Sequence, residues 1–128
     1  MKRFSRSRKR IVEKDGKYYL KGPEDKLVGP FYYVSPVNFV YIGNNFLAFA
    51  KVDSNNGGII DTKGRWYLPP VFRLVGFNKS PILSGTITLV EDLAHKLTLD
   101  VSYRNLGEFK KTLYEHKTEI VKWLIELA

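Results

Sequence analysis

The chain has 128 residues and a formal net charge of +8, from 21 Lys and Arg against 13 Asp and Glu. That length holds one domain, or one small domain with an appendage, and the 44% hydrophobic content is that of an ordinary globular chain. Cysteine is absent, which excludes disulfides, thiolate metal sites and a thiol nucleophile, and the longest apolar runs, 46–50 and 123–125, are too short to span a bilayer.

The charge sits at one end. Lys2, Arg3, Arg6, Arg8, Lys9 and Arg10 bring +6 of the +8 and no acid accompanies them. Residues 11–128 then hold 15 bases and 13 acids, a nearly neutral body. Residues 1–10 are therefore expected to form a basic, flexible arm. No apolar stretch follows its positive start, so it does not read as a secretory signal, and Glu13 and Asp15 arrive too soon for a transit peptide. Two roles remain open for it. It can lie on phosphates or an acidic partner, releasing counterions as it does so, or it can be a solvated tail. The lack of Cys fits a reducing compartment, and a cytoplasmic location is expected.

Residues 11–104 read as a β domain. Ile11-Val12 opens it, and Asp15-Gly16 marks a hairpin because both central positions of a type I′ turn need positive φ. Short strands are expected at 18–20 and 26–28, then at 31–34 between Gly29-Pro30 and Ser35-Pro36, with each X-Pro pair acting as a stop. Further strands follow at 37–42 and 46–52, closed by the turn-rich Asp53-Ser54-Asn55-Asn56-Gly57. The second half repeats the plan. Strands are expected at 58–61 and 65–68, with a stop at Pro69-Pro70, and at 71–77, 86–90 and 97–103. Residues 86–90 alternate with period two, the mark of a half-buried strand. The fold class is mostly β (α+β), an antiparallel meander of two related units of about forty residues followed by a helix.

From Leu106 the period changes. Leu106, Phe109, Leu113, Ile120, Val121, Leu124 and Leu127 recur at helical steps, and Asn105 is placed to cap them. One amphipathic helix is expected over 105–128, packed on the β domain or used as an interface, self-association included.

The two halves are related by a shift of forty residues, which sets Leu27-Val28-Gly29-Pro30-Phe31-Tyr32 over Tyr67-Leu68-Pro69-Pro70-Val71-Phe72. The stretch from Phe46-Leu47-Ala48-Phe49-Ala50 through Asn56-Gly57-Gly58-Ile59-Ile60-Asp61-Thr62-Lys63-Gly64 to Leu68-Pro69-Pro70-Val71-Phe72 resembles a WG (Trp-Gly) β-repeat. In that family an Asn-Gly turn, a Trp-Gly-x-Ile-Asp core, a Lys-Gly turn and a Pro-Pro strand follow one another. The resemblance covers residues 46–77 best and 15–52 weakly. Gly57-Gly58 stands where the family has Trp-Gly, so the signature Trp is missing. What the resemblance implies is a bacterial or phage binding scaffold, not an enzyme.

No catalytic constellation is visible. His95 and His116 are at no metal-ligand spacing, and a surface loop and a half-buried helix position are their expected places. Of the carboxylates, Asp53, Asp61, Glu91, Asp92 and Asp100 are not forced into a pair, and Asp61 is expected to serve its own turn. No Ser elbow or phosphate-cradling Gly loop is present. The chain reads as a non-enzyme with no metal and no cofactor. The aromatics are the remaining signal. In Tyr18-Tyr19, Tyr32-Tyr33 and Trp66-Tyr67 one neighbour should face the core and the other solvent. Interface candidates are Tyr19, Tyr33, Trp66, Arg65, Arg73 and Trp123. The expected function is a small phage- or bacterial-type adaptor or inhibitor that binds a protein, a member of a nucleic-acid-handling complex included. The alternative is direct RNA or DNA binding through the arm and exposed aromatics.

Overall fold

The computed structural model describes residues 10–128. Its first sheet is a meander of β1 (Ile11–Lys14), β2 (Lys17–Lys21) and β3 (Leu27–Phe31). The second is β4 (Tyr33–Ile42), β5 (Asn45–Lys51), β6 (Gly57–Asp61) and β7 (Trp66–Phe72). The third is β8 (Leu74–Lys79), β9 (Ser84–Val90) and β10 (Lys96–Ser102). Two helices follow, α1 (Leu106–Glu115) and α2 (Lys117–Leu127). Every strand pairing is antiparallel, and the mostly-β meander read from the sequence holds.

Local chemistry fixes the hairpins. Asp15 and Gly16 have φ of 53° and 75°, the type I′ pair that a two-residue connection needs. Asp53 accepts from the backbone N–H of Asn55 and Asn56, and Asp92 from those of Ala94 and His95, so each loop is closed by its own carboxylate. The segment before β10 is this Asp92 turn.

The strands recur with the expected spacing. β2, β6 and β10 begin at Lys17, Gly57 and Lys96, while β3 and β7 begin at Leu27 and Trp66. The central sheet is buried on both faces. Leu47, Phe49 and Ile59 point into a large core shared with the third sheet and the helices. Phe46, Ala48, Ala50 and Ile60 point the other way, into a smaller core with Leu20 and Phe31 of the first sheet. Successive residues of β5 thus serve two cores, which is why its run of five apolar residues shows no alternation. β9, half-buried, alternates as expected.

Three expectations need correction. The prolines of Gly29-Pro30, Ser35-Pro36 and Pro69-Pro70 do not stop strands; they lie inside β3, β4 and β7. Each of these is an edge strand, and at each the register shifts, because Pro has no N–H to give a ladder and is tolerated at an edge bulge. The C-terminal helix is two helices, not one. His116, with φ −93° and ψ 6°, leaves the helical region, and its N–H turns back to Leu113 C=O at 3.1 Å. Its ring Nε2 lies 2.7 Å from the Asp100 carbonyl, which ties the junction to β10. Of the aromatic pairs, Tyr32-Tyr33 and Trp66-Tyr67 do place the first residue outward, but Tyr18 and Tyr19 are both half-buried. Tyr18 makes an edge-to-face contact with Tyr33, with ring centroids 5.4 Å apart.

At Gly57 and Gly58 there is no room for a side chain. A Cβ on Gly57 would come within 2.7 Å of the Phe49 ring, and one on Gly58 would strike the carbonyl oxygens of Leu68 and Pro69. Phe49, fully buried in the large core, occupies the space a residue 57 side chain would enter.

A candidate docking cleft between the central sheet and the C-terminal helices

β7 is the last strand of the central sheet, and among the described residues its outer edge carries no partner strand. Pro69 and Pro70 leave two residues of β7 without an N–H donor, which weakens this strand as a template for further pairing. The helices stand beside it and leave a cleft of about 460 Å³. The strand wall is formed by Trp66, Tyr67, Leu68 and Phe72. The α1 wall is Lys110, Leu113 and Tyr114, and the α2 wall is Lys117, Ile120, Val121 and Leu124. The helical residues recur at steps of three and four, so they share one face. The floor is apolar, since Leu68, Phe72, Leu113 and Ile120 are buried. The rim is open, with Trp66 37%, Val121 47% and Tyr114 70% exposed. From Tyr114 of α1 a shallow strip continues along α2 through Val121 to Ile125, flanked by Lys117, Thr118, Lys122 and Glu126.

One end of the cleft is rigid. Asp61, itself buried, accepts from the Lys63 and Arg65 backbone N–H groups at 2.9 and 3.0 Å, so it does serve its turn. Its other oxygen accepts from Arg65 Nε and from the Tyr67 hydroxyl, both at 2.7 Å. Burial pushes the Asp61 carboxyl up, but the hydrogen bonds from Tyr67, Arg65 and Lys63 outweigh it and hold it below the usual range. Burial and the bond to Asp61 push the Tyr67 hydroxyl up to about 12. Arg65 and Tyr67 are thus held in place where they line the cleft. On the helix side Lys117 Nζ lies 5.4 Å from the Tyr114 ring centroid, in cation–π range. Arg65, Lys110 and Lys117 are the charged residues of the lining, and no carboxylate is among the described lining residues.

The structure brings two interface candidates, Arg65 and Trp66, into this cleft. It places the others elsewhere. Tyr19 and Tyr33 are half-buried on the first two sheets, where Tyr32 is the more exposed neighbour at 58%. Arg73 faces Glu91 across 3.8 Å, and Trp123 packs against the large core. The arm residues Lys2, Arg3, Arg6, Arg8 and Lys9 lie outside the described residues, whereas the Arg10 carbonyl accepts from Lys21 N–H at 2.7 Å and extends the first hairpin. Sequence reasoning missed Lys110, Tyr114 and Lys117. Their spacing on the Leu113–Ile120 stripe was the available signal, but only apolar positions were read from that stripe.

Both histidines are engaged structurally. His95 Nδ1 sits 2.9 Å from Asp92 in an exposed turn. His116 is half-buried on the helix junction and faces Glu119 at 3.0 Å through Nδ1. Among the described residues no group of three or more His, Cys, Asp or Glu could hold a metal. No described helix is long and apolar enough to cross a membrane.

Comparison with protein-family models, with curated proteins and with solved structures returned no match to this chain.

Proposed function

We propose that this chain is a non-enzymatic binding protein that grips a protein partner in the cleft between β7 and the two helices, on a WG-like β scaffold. One observation carries the proposal: an apolar, pre-formed cleft whose rim exposes Trp, Tyr and Arg. Those three residue types dominate binding energy at protein interfaces, above all around a well-packed apolar pocket. The cleft volume lies within the range of sites that take a few groups, so the partner offers a segment, not a whole face. The recurrence of strands at about forty residues supports the scaffold assignment.

Photo-crosslinking tests this. A benzoylphenylalanine replacing Tyr114 is expected to give a discrete protein adduct in the cell of origin. The adduct should vanish when Val121→Arg fills the rim, and the same probe replacing Thr98 on the exposed face of β10 should give none. Equal labelling from both positions would contradict the assignment.

The nearly neutral body beside a +6 arm supports a second reading, direct RNA or DNA contact through residues 2–10. Its mark would be affinity that falls steeply with salt and disappears in the chain 11–128.

A further inference from the structure

We infer that the occupant of the cleft is an acidic, apolar peptide segment of the partner, short enough to seat a few large side chains and flanked by carboxylates. This rests on the docking function proposed above and adds the chemistry of what docks.

The cleft has charges of one sign on both walls. Arg65 stands on the strand side, Lys110 and Lys117 on the helix side. Asp61 balances Arg65 from behind, so the uncompensated positive charge at the mouth comes chiefly from the two lysines. Of the helix acids, Glu108, Glu115, Glu119 and Glu126, none is part of the cleft lining; Glu126 lies beyond it, with Lys122, on the strip that runs to Ile125. Glu108 takes the Ser102 hydroxyl and Glu119 takes His116, so these two carboxylates are engaged on the β10 side of the helices. Among the described residues the cleft lining therefore carries bases and no acid. A carboxylate entering the cleft meets cations and no described counter-charge, whereas a Lys or Arg would meet like charge, and like charge across an interface is what rejects wrong partners.

The apolar part favours a peptide over a small amphipathic acid. The floor beneath Trp66 and Leu113 would hold one side chain group, but the surface does not end there. Val121 and Ile125 carry it along α2, with Ile125 68% exposed. A segment with apolar residues at helical or alternating steps can cover floor and strip together, as in helix-in-groove recognition.

The test is selection from a random dodecapeptide phage library on the immobilised full chain, in parallel on Val121→Arg and on the double variant Lys110→Glu/Lys117→Glu. Circular dichroism checks that each variant is folded, and Lys110→Gln/Lys117→Gln replaces the charge reversal if that variant is not. The expected result is recovery of peptides with Leu, Phe or Trp flanked by Asp or Glu, absent from the Val121→Arg selection. Their affinity should fall by about tenfold or more in the charge-reversed variant, and still further at low salt relative to the parent. Recovery of basic or neutral apolar peptides that also depend on Val121 would overturn the acidic preference and leave the docking function standing. Recovery of the same peptides by the parent and by Val121→Arg, or of none by either, would overturn both.

Discussion

The two C-terminal helices are of nearly equal length, ten and eleven residues, yet they sit on the β body in different ways. α1 is held along its whole length. Asn105 Oδ1 accepts from Glu108 N–H at 2.8 Å, Glu108 accepts from Ser102 Oγ, and Thr112 Oγ1 accepts from Ser102 N–H. Phe109 and Leu113 are buried in the large core, and Phe109 stacks against Tyr103 and meets Tyr67 edge-on. α2 has a single buried residue, Ile120, and no side-chain cap. Its Val121 and Ile125 face outward. α1 spends most of its surface on the fold and leaves the cleft only the Lys110 and Tyr114 edge. α1 packs on β10, the last strand of its unit, and α2 presents the larger open face.

That contrast can be broken or sharpened by graded substitutions. Phe109→Ala should be the most damaging, at about 3–5 kcal/mol of global stability, because it empties a fully enclosed site between Tyr67 and Tyr103. Urea unfolding followed by far-UV circular dichroism reads it. Ile120→Ala should cost about 2 kcal/mol, the low end of such truncations, since its surroundings near the cleft can relax. Native-state hydrogen exchange should show the loss confined to α2, with α1 and β10 protected as before. Equal loss of protection in both helices would mean that they form one unit.

Removing the α1 cap by Asn105→Ala should cost about 1 kcal/mol, seen as a lowered urea midpoint with an unchanged slope. The smallest effect belongs to the junction. Burial pulls the His116 pKa down, but the Asp100 carbonyl and Glu119 outweigh it and hold it above the usual value. Both ring nitrogens face acceptors, so the protonated ring is the form that satisfies both. A raised folded-state pKa means that this stabilisation is complete below about pH 6.5, the unfolded value, and is lost as pH rises through the folded value. Thermal melts across that interval should show a shallow decline that His116→Gln abolishes. A slope that survives His116→Gln would move the titration to another group.

The β body was legible because its hairpins obey local rules. Asp15-Gly16 announces its geometry, and β9 and β10 alternate as half-buried strands do. The prolines misled because a Pro at an edge bulge and a Pro ending a strand look alike in sequence; only sheet order tells them apart. The helix break was hidden for a related reason. The stripe from Leu113 to Ile120 keeps its helical spacing through His116, and what turns the chain there is a long-range bond to the Asp100 carbonyl. The cleft was half legible. Arg65 and Trp66 stood out by type, but Tyr114, Lys110 and Lys117 join them only because β7 is an edge strand and the helices fold back beside it.

The central claim is that an open, positively rimmed apolar cleft exists beside β7 and accepts an apolar anion. Titration of the ¹⁵N-labelled full chain with 8-anilinonaphthalene-1-sulfonate, an apolar aromatic anion, followed by amide and indole chemical shifts, tests it most directly. The predicted result is saturable shifts centred on Trp66, Leu113, Tyr114, Val121 and Leu124, lost in Val121→Arg. Shifts centred on the outer faces of the first or third sheet, or on the basic arm, and unchanged by Val121→Arg, would contradict it.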